Sequence, residues 1–304
     1  MSGCEYPWPP IENGSRPEWT GSAFRVGGLE MPVLGYNSGP SGWSDSLTQM
    51  HEELAGTGHP IDRLSRNWAL AAVQRHVTQA APVLLEMGCS SGFFLDDLRA
   101  RFPAATVIGS DFLQEPLERL AARVRDVPLL RFDAVRCPLP DASLDAVILL
   151  NVLEHIENDG EAVRQVARIL KPGGVAVIEV PAGPHLYDLY DEHLQHYRRY
   201  SGASLAALAA AAGLAVVEQS HLGCFLYPGF ALVKRWNQRR SDAQPAARER
   251  IVAANITQTG GSWLLRQVFE WEGRLGRWMS FPFGIRCVMV CQRPAKMAAS
   301  IERS

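Results

Sequence analysis

One glycine-rich turn constrains the fold of this chain more than any other feature. An apolar strand over residues 83–87 ends at Gly88, and Gly92 directly precedes a helical pattern that begins at Phe93. Gly88 permits the positive φ of a tight turn, and Gly92 permits a close approach between the backbone and a ligand. Such a turn indicates an α/β fold. Because many glycine turns only connect a strand to a helix, ligand binding needs further support.

Apolar strands and helices alternate after this turn. Continuous apolar strands separated by helices indicate a parallel sheet that is covered on both faces. Because the connections between such strands are right-handed, the sequence predicts a doubly wound α/β fold of Rossmann-like type, with a mostly parallel, seven-stranded sheet. The predicted strands cover residues 83–87, 106–109, 129–132, 144–150, 175–180, 214–217 and 287–291, and the predicted helices cover residues 61–77, 93–101, 115–125, 159–170, 205–212 and 263–278.

Four regions are predicted along the chain. Residues 1–60 are rich in Gly and Pro and form an irregular N-terminal cap, with one or two helical turns at 44–54. Residues 61–223 form the α/β core. Residues 224–284 form a helical insertion on the substrate side, because a structureless loop of that length is improbable inside a compact domain. Residues 285–304 contain the last strand and a tail.

Aromatic residues from the cap and the insertion could line an apolar pocket for a substrate. Ordinary packing of these two flanking regions explains the same residues at least as well. The residues concerned are Tyr36, Trp43, Phe225, Tyr227, Phe230, Trp236 and Trp271.

The overall composition argues against several kinds of partner and location. The formal net charge is −2, so nucleic acid is not predicted as a partner, and the basic pairs at 234–235 and 239–240 are interpreted as solvated surface. No apolar run approaches the roughly 20 residues that an integral membrane helix needs, and the N-terminus lacks the apolar region of a secretion signal. The six cysteines are scattered without a paired C-x-x-C set, so the sequence predicts no metal site and a reduced, cytoplasmic protein.

Two aspartates lie at the ends of the second and third predicted strands. A carboxylate at the position of Asp111 can accept hydrogen bonds from both hydroxyls of a ribose. Asp133 could accept a hydrogen bond from the exocyclic amine of an adenine. Aspartates that cap helices or stabilise turns are the common alternative at both positions. The strand-end position after a glycine turn favours the ligand role for Asp111, whereas both interpretations stay open for Asp133.

The loop after the fifth strand, residues 191–200, contains two histidines. His193 and His196 are candidate general bases, because imidazole titrates near neutral pH. With a spacing of three residues, both would face the same side of a helical turn, and His196 is the preferred candidate. The alternative is that the polar and aromatic residues of this loop only pack and cap the following helix.

Five segments, in this order and spacing, resemble the class I S-adenosylmethionine-dependent methyltransferases, in their broad small-molecule branch. The segments are LLEMGCSSG, VIGSD, FDA, LDAVILLNVLEHI and ILKPGGVAVIEVP, and the similarity extends over residues 82–217. The resemblance implies that the cofactor is S-adenosylmethionine. It also implies that the protein transfers a methyl group to an oxygen, nitrogen or carbon atom of a small-molecule substrate. The oligomeric state stays open.

The same resemblance implies which residues bind the cofactor. The glycine turn would hold the methionine part, the acid after the second strand the ribose, and the acid after the third strand the adenine, on which Phe112 would stack. Ser90 departs from the family pattern, because many relatives have a glycine at that position. The implied cofactor-binding residues are Glu86, Gly88, Cys89, Ser90, Gly92, Asp111, Phe112, Asp133, Ala134, Asn151, Val152 and Leu153.

Three other functions compete with this interpretation. An NAD-dependent oxidoreductase would carry a G-x-G-x-x-G turn, and residues 88–92 lack that spacing. A non-catalytic module that binds S-adenosylmethionine would be indicated by loss of the cofactor residues, yet Gly88, Gly92 and Asp111 are all present. Action at a membrane surface on a lipid-linked substrate is suggested by the aromatic stretch at 225–236 and the basic residues after it.

Overall fold

An eight-stranded sheet forms the centre of the computed structural model, which describes residues 6–36, 59–239 and 263–295. The strands, in chain order, are β1 (Glu18–Trp19), β2 (Phe24–Val26), β3 (Leu29–Met31), β4 (Val33–Gly35), β5 (Val83–Met87), β6 (Thr106–Asp111), β7 (Leu129–Arg131), β8 (Leu144–Leu150), β9 (Leu170–Pro181), β10 (Ala215–Leu222) and β11 (Arg286–Gln292). The order across the sheet is β10–β11–β9–β8–β5–β6–β7–β4. Within it, β11 runs antiparallel to both of its neighbours and the other pairs are parallel.

This topology confirms the predicted doubly wound, mostly parallel sheet, with one strand more than expected. The eighth strand is β4, which pairs with β7 at the edge of the sheet. Its three residues are too few to show a periodic pattern, so sequence analysis missed it. The strand predicted at 214–217 continues to residue 222, because an edge strand carries polar residues that interrupt the apolar run.

Helices cover both faces of the sheet and divide its side chains between two cores. Leu84 packs in the core that contains Ala69 and Val73, whereas the next residue, Leu85, packs in the core that contains Val163. A strand that is buried on both faces needs apolar residues at every position, which explains the continuous apolar runs. The helices are α1 (Pro60–His76), α2 (Phe93–Arg101), α3 (Gln114–Arg123), α4 (Asp159–Ile169), α5 (Leu189–His193), α6 (Gly202–Ala211), α7 (Tyr227–Gln238) and α8 (Trp263–Leu275).

Side-chain caps fix where several of these helices begin. The Asn158 side chain accepts a hydrogen bond from the backbone of Glu161 at the start of α4. Ser201 and Ser204 form a reciprocal capping box at the start of α6. No helix among the described residues is long and apolar enough to cross a membrane.

The N-terminal region differs from the irregular cap that its Gly and Pro content predicts. Over residues 6–36 it forms β1, β2 and β3 as a small antiparallel sheet, and β4 joins the main sheet. Its aromatic side chains pack into the main core, and the hydroxyl groups of Tyr6 and Ser143 lie 2.8 Å apart in a hydrogen bond. Burial of these aromatic rings offsets the weak local preference for structure. The helical turns predicted at 44–54 lie outside the described residues.

We expect Phe24→Ala to lower the free energy of unfolding by about 3–5 kcal/mol, the usual effect of truncating a fully buried phenylalanine. Phe24 has no exposed surface, whereas Leu29 on the neighbouring strand is 71% exposed. Leu29→Ala is the matched control and should change stability by less than about 0.5 kcal/mol. Urea denaturation of the two variants measures the difference. Equal, small effects would show that residues 6–36 do not contribute to the core.

Candidate functional site

A cavity of about 1400 Å³ lies at the carboxyl ends of the parallel strands. Met87, Asp111, Phe132 and Leu150 line it, and they lie at or just after the ends of β5, β6, β7 and β8. Because β5 is flanked by both β6 and β8, the chain leaves β5 towards one edge of the sheet and later returns on the other side. Open α/β sheets bind their ligands at this switch point. A pocket for one small ligand usually measures about 300–1,000 Å³, so this cavity has room for two.

The glycine turn after β5 forms one wall of the cavity. Gly88 has a φ of +80°, and a Cβ atom added there would lie only 2.5 Å from Cγ2 of Val152. Ser90 also has a positive φ, of +42°, which explains why many relatives have glycine at this position. The backbone N–H of Ser90 donates a hydrogen bond to Asp111 at 2.9 Å, so the turn and the end of β6 stabilise each other.

The predicted cofactor acids line the same wall and also stabilise the turns that carry them. Asp111 accepts a hydrogen bond from the backbone N–H of Leu113 at 3.0 Å, and Asp133 accepts one from Val135 at 3.0 Å. The turn-stabilising role is therefore real for both residues, and it holds each carboxylate at the cavity. The predicted residues that line the cavity are Gly88, Ser90, Asp111, Phe112, Asp133, Ala134, Asn151 and Val152.

Four of the predicted cofactor residues do not line this cavity. The Cys89 side chain packs in the core, where its Sγ atom would contact a Cβ placed on Gly109, and Leu153 is fully buried. Gly92 faces Leu120 of α3. Glu86 is buried, and this burial, together with Asp111, raises the pKa of its carboxyl group well above the usual value. These four residues support the turns and strands around the cavity.

Asn151 is positioned by a buried ion pair on the neighbouring strands. Its side-chain amide donates a hydrogen bond to Glu179 of β9 at 2.9 Å, and Arg286 of β11 donates to the same carboxylate oxygen at 2.8 Å. Arg286 also donates to Asp62 on α1. The first helix, the central sheet and the loop after β8 therefore meet at this side of the cavity.

The opposite part of the cavity contains a buried ionic network around Asp191. This carboxylate accepts hydrogen bonds from Nδ1 of His196 at 2.9 Å, from Nε of Arg199 at 2.8 Å and from Nζ of Lys234 at 3.0 Å. Burial alone would raise the pKa of Asp191, but the hydrogen bond from His196 and the charges of Lys234 and Arg199 hold it well below its usual range. Asp191 is therefore ionised, and His196 directs its Nδ1–H towards it.

The same network fixes α7 beside the cavity. Lys234 donates to Asp188 at 2.5 Å, and the side-chain amide of Asn237 donates to the other oxygen of Asp188 at 3.1 Å. The interpretation of Lys234 as solvated surface is wrong, since only 4% of this residue is exposed. The signal that could have identified it is the spacing of Phe230, Lys234 and Asn237, which places all three on one face of a helix.

The second helix of the insertion is fixed by a different buried acid. Both carboxylate oxygens of Glu272 on α8 accept hydrogen bonds from the backbone before α7, at Gly223 (2.6 Å) and Phe225 (3.2 Å). α8 also packs against α1. Apolar side chains of α7 and α8 line the cavity at Phe230, Val233 and other positions, which are Leu265 and Phe269.

Glu154, His155 and His196 come together at this end of the cavity. The rings of His155 and His196 lie 4.7 Å apart, edge to face. Burial raises the pKa of Glu154 to about 8. Burial also lowers the pKa of His196, although the hydrogen bond to Asp191 acts in the opposite direction. Sequence analysis named Glu154 and His155 only as parts of a family segment and did not predict this cluster.

The two candidate bases are not equivalent in the structure. His196 lines the cavity, whereas His193 does not. The helix α5 ends at His193, and Gln195 has a φ of +54°, so the chain changes direction between the two histidines. Helical spacing therefore does not apply to this pair, and their predicted common face is not formed.

The flanking aromatic residues serve different purposes from one another. Phe230 lines the cavity, as expected of a substrate pocket, whereas Tyr36 packs in the core near the N-terminal sheet. Trp236 and Trp271 are each 58% exposed. Trp43 lies outside the described residues.

Comparison with known proteins identifies the family of the central segment. Residues 85–178 match the family described as a methyltransferase domain. A protein of Mycolicibacterium smegmatis described as a probable S-adenosylmethionine-dependent methyltransferase is 34% identical over 98 residues, covering 32% of this chain and 37% of that protein. A demethylmenaquinone methyltransferase of Thermus thermophilus is 30% identical over 145 residues, covering 44% of this chain and 66% of that protein. The chain thus spans between about two fifths and two thirds of these curated relatives.

A solved structure shows the same fold with the cofactor bound. Phosphoethanolamine N-methyltransferase 2 of Haemonchus contortus, in complex with S-adenosyl-L-methionine, aligns with a TM-score of 0.53 and 17% identity, covering 83% of this chain and 57% of its own. The matched segment, the sheet order and the glycine turn together define a class I S-adenosylmethionine-dependent methyltransferase domain in this chain. The cofactor of this domain is S-adenosylmethionine, and the positive-φ turn, the two strand-end carboxylates and the aromatic ring of Phe112 fit it.

We expect Gly88→Ala to weaken binding of S-adenosylhomocysteine at least about tenfold, because the added Cβ would lie 2.5 Å from Val152. Gly173→Ala is the matched control, since Gly173 has a φ of +84° but no atom within 4 Å of an added Cβ. Both variants incur roughly 1–2 kcal/mol of left-handed backbone strain. Isothermal titration calorimetry measures the affinities. Equal affinity in both variants would show that the turn does not contact the cofactor.

Proposed function

We propose that this protein transfers a methyl group from S-adenosylmethionine to a small-molecule acceptor. One observation carries the proposal: a single cavity is lined by the strand-end carboxylates of Asp111 and Asp133 and also by Glu154, His155 and His196. A cofactor on the first set and an acceptor on the second would share one enclosed space. Because S-adenosylmethionine supplies an already activated methyl group, alignment of the two ligands accounts for much of the catalysis.

The cofactor half of the cavity assigns a role to each of its polar groups. Asp111 would accept hydrogen bonds from the ribose hydroxyls, and Phe112 would stack on the adenine. Asp133 would accept a hydrogen bond from the exocyclic amine of the adenine. Gly88 and Ser90 would leave space for the methionine part beside the turn, while Asn151 and Val152 would lie near the sulfonium.

The acceptor half combines an apolar wall with a polar cluster. Phe230 and Val233 of α7 and Phe269 of α8 supply apolar surface, and His196 and Glu154 supply polar atoms. Pockets of this composition bind molecules with an apolar body and a polar group that sets their orientation. The similarity to a demethylmenaquinone methyltransferase supports a small-molecule acceptor of this kind.

The structure gives the non-catalytic alternative less support than the enzyme. A module that only bound the cofactor would have no need of a buried Glu and two His residues beside the binding space. Burial of such groups is costly, and it is concentrated at functional sites. The match to the methyltransferase domain also disfavours an NAD-dependent oxidoreductase.

Asp111→Ala should lower the affinity for S-adenosylhomocysteine about 10–100-fold, because a hydrogen bond to a charged group contributes about 1.5–3 kcal/mol. Isothermal titration calorimetry measures this loss, and the wild-type protein should not bind NAD. Asp126→Ala is the control, since the Asp126 side chain is 62% exposed and does not line the cavity. Wild-type protein that bound NAD tightly and neither adenosyl ligand would contradict the proposed function.

The assignment of His196 as the general base is tested by turnover. His196→Ala should reduce turnover by about 10²–10⁴-fold, the usual contribution of a general base, while the affinity for S-adenosylhomocysteine stays unchanged. The acceptor for this assay is found by screening candidate small molecules for the mass gain of one methyl group. His76→Ala is the control, because His76 contacts Glu218 and does not line the cavity. Loss of cofactor binding in His196→Ala would instead indicate a role in the fold.

A further inference from the structure

Three side chains at the acceptor end of the cavity form a set of metal-ligand type. Glu154, His155 and His196 each offer one ligand atom, and these atoms all lie within 4.8 Å of one another. One carboxylate and two imidazoles are a donor set that binds divalent transition metals. Sequence analysis looked for metal sites among cysteines and predicted none. This set instead joins the short helix Leu153–His155 to a loop about 40 residues later, so only the fold brings it together.

Glu154 has a carboxylate oxygen that no group in the described structure satisfies. The residue is 1% exposed, lines the cavity, and its Oε2 atom has no hydrogen-bond partner. A buried polar atom without a partner costs about 1–3 kcal/mol, and more when it is charged. Native proteins rarely keep such an atom without a functional reason. A cation bound at this point would supply the missing partner.

Asp191 orients His196 as a carboxylate orients a metal-bound histidine. Its hydrogen bond to Nδ1, at 2.9 Å, leaves Nε2 of the ring without a proton and therefore able to bind a metal ion. Metal-binding histidines generally donate their second ring N–H to such a partner, which fixes the tautomer and the ring orientation. The ligand and its supporting carboxylate are both buried, so this orientation is maintained by packing as well.

The surrounding charges do not oppose a cation. Lys234 and Arg199 are the nearest basic groups of the network, and both donate to Asp191, while Lys234 also contacts Asp188. These two cations and two carboxylates balance each other. Arg286 is likewise paired, with Glu179 and Asp62, which leaves Glu154 as an acid without an ion-pair partner.

We propose that Glu154, His155 and His196 bind one divalent transition-metal ion, such as Zn²⁺, at the acceptor end of the cavity. Zn²⁺ bonds of about 2.0–2.2 Å place ligand atoms roughly 3–3.5 Å apart, so the side chains close by about 1 Å on binding. Three protein ligands leave a further coordination position open, as in catalytic zinc sites. The softer imidazole donors favour a transition metal over Mg²⁺, which prefers oxygen ligands.

The open position fits an acceptor hydroxyl, and this role rests on the proposed function, whereas ion binding does not. Coordination makes the hydroxyl more acidic, so its proton leaves to solvent. The oxygen then forms a bond to the methyl carbon while the bond from that carbon to the cofactor sulfur breaks, and the sulfur keeps the electron pair. His196 then acts as a metal ligand in place of a general base.

Metal titration of the purified full-length protein tests the proposal directly. After removal of bound metal with a chelator, Zn²⁺ is added in a calorimeter and Co²⁺ is added while visible absorption is recorded. We expect one ion per chain and the d–d absorption bands of Co²⁺ with nitrogen and oxygen ligands. Glu154→Gln should weaken Zn²⁺ binding at least about 100-fold, and Asp191→Asn about 10–100-fold, the usual effect of removing a supporting carboxylate.

His76→Gln is the matched control, because it removes a histidine that does not line the cavity and should leave the affinity unchanged. If Glu154→Gln does not fold by circular dichroism, His155→Ala replaces it. Equal Zn²⁺ binding in the wild-type, ligand and control proteins would overturn the proposal, as would absence of binding. Binding of S-adenosylhomocysteine is measured on the same metal-free samples. Cofactor binding without metal binding rejects only the metal site, and metal binding without cofactor binding rejects only the proposed function.

Discussion

The buried carboxylate of Asp191 is the interaction on which the acceptor side of this structure depends. It belongs to the short helix α5, yet it binds His196 and Arg199 from the following loop and Lys234 from α7. Each of these charges is costly to bury alone, so the network is stable only when its members are present together. Removing one partner of such a pair typically costs about 3–5 kcal/mol. The insertion is therefore coupled to the loop by charge as well as by apolar packing.

The cavity exists because of where the sheet reverses its order. The chain moves from β5 outwards through β6 and β7, then returns to β8 on the other side of β5, and the connections diverge above this point. The carboxylates of Asp111 and Asp133 follow the strands of the first half. Glu154 and His196 follow the strands of the second half, so one space is bordered by two chemically different sets of groups. This division is what allows a nucleotide cofactor and an acceptor to meet.

The two flanking regions look similar in sequence but have different roles in the structure. Both contain aromatic residues between Gly and Pro. Residues 6–36 complete one core and extend the sheet by β4, and none of them lines the cavity. The described helices of the insertion, α7 and α8, do line it. The difference arises from position, because β4 pairs at the edge beyond β7, whereas α7 and α8 lie beside the acceptor end.

The sequence by itself determined the doubly wound sheet, the glycine turn and the strand-end acids, because these depend on local periodicity and on strand ends that meet at one edge. It also placed His196 in the right loop. Only the tertiary structure decided that Lys234 is buried, that His193 lies away from the cavity, and that Glu154 and His155 meet His196. These outcomes depend on contacts between distant segments and on the chain reversal at Gln195, and no local pattern encodes either one.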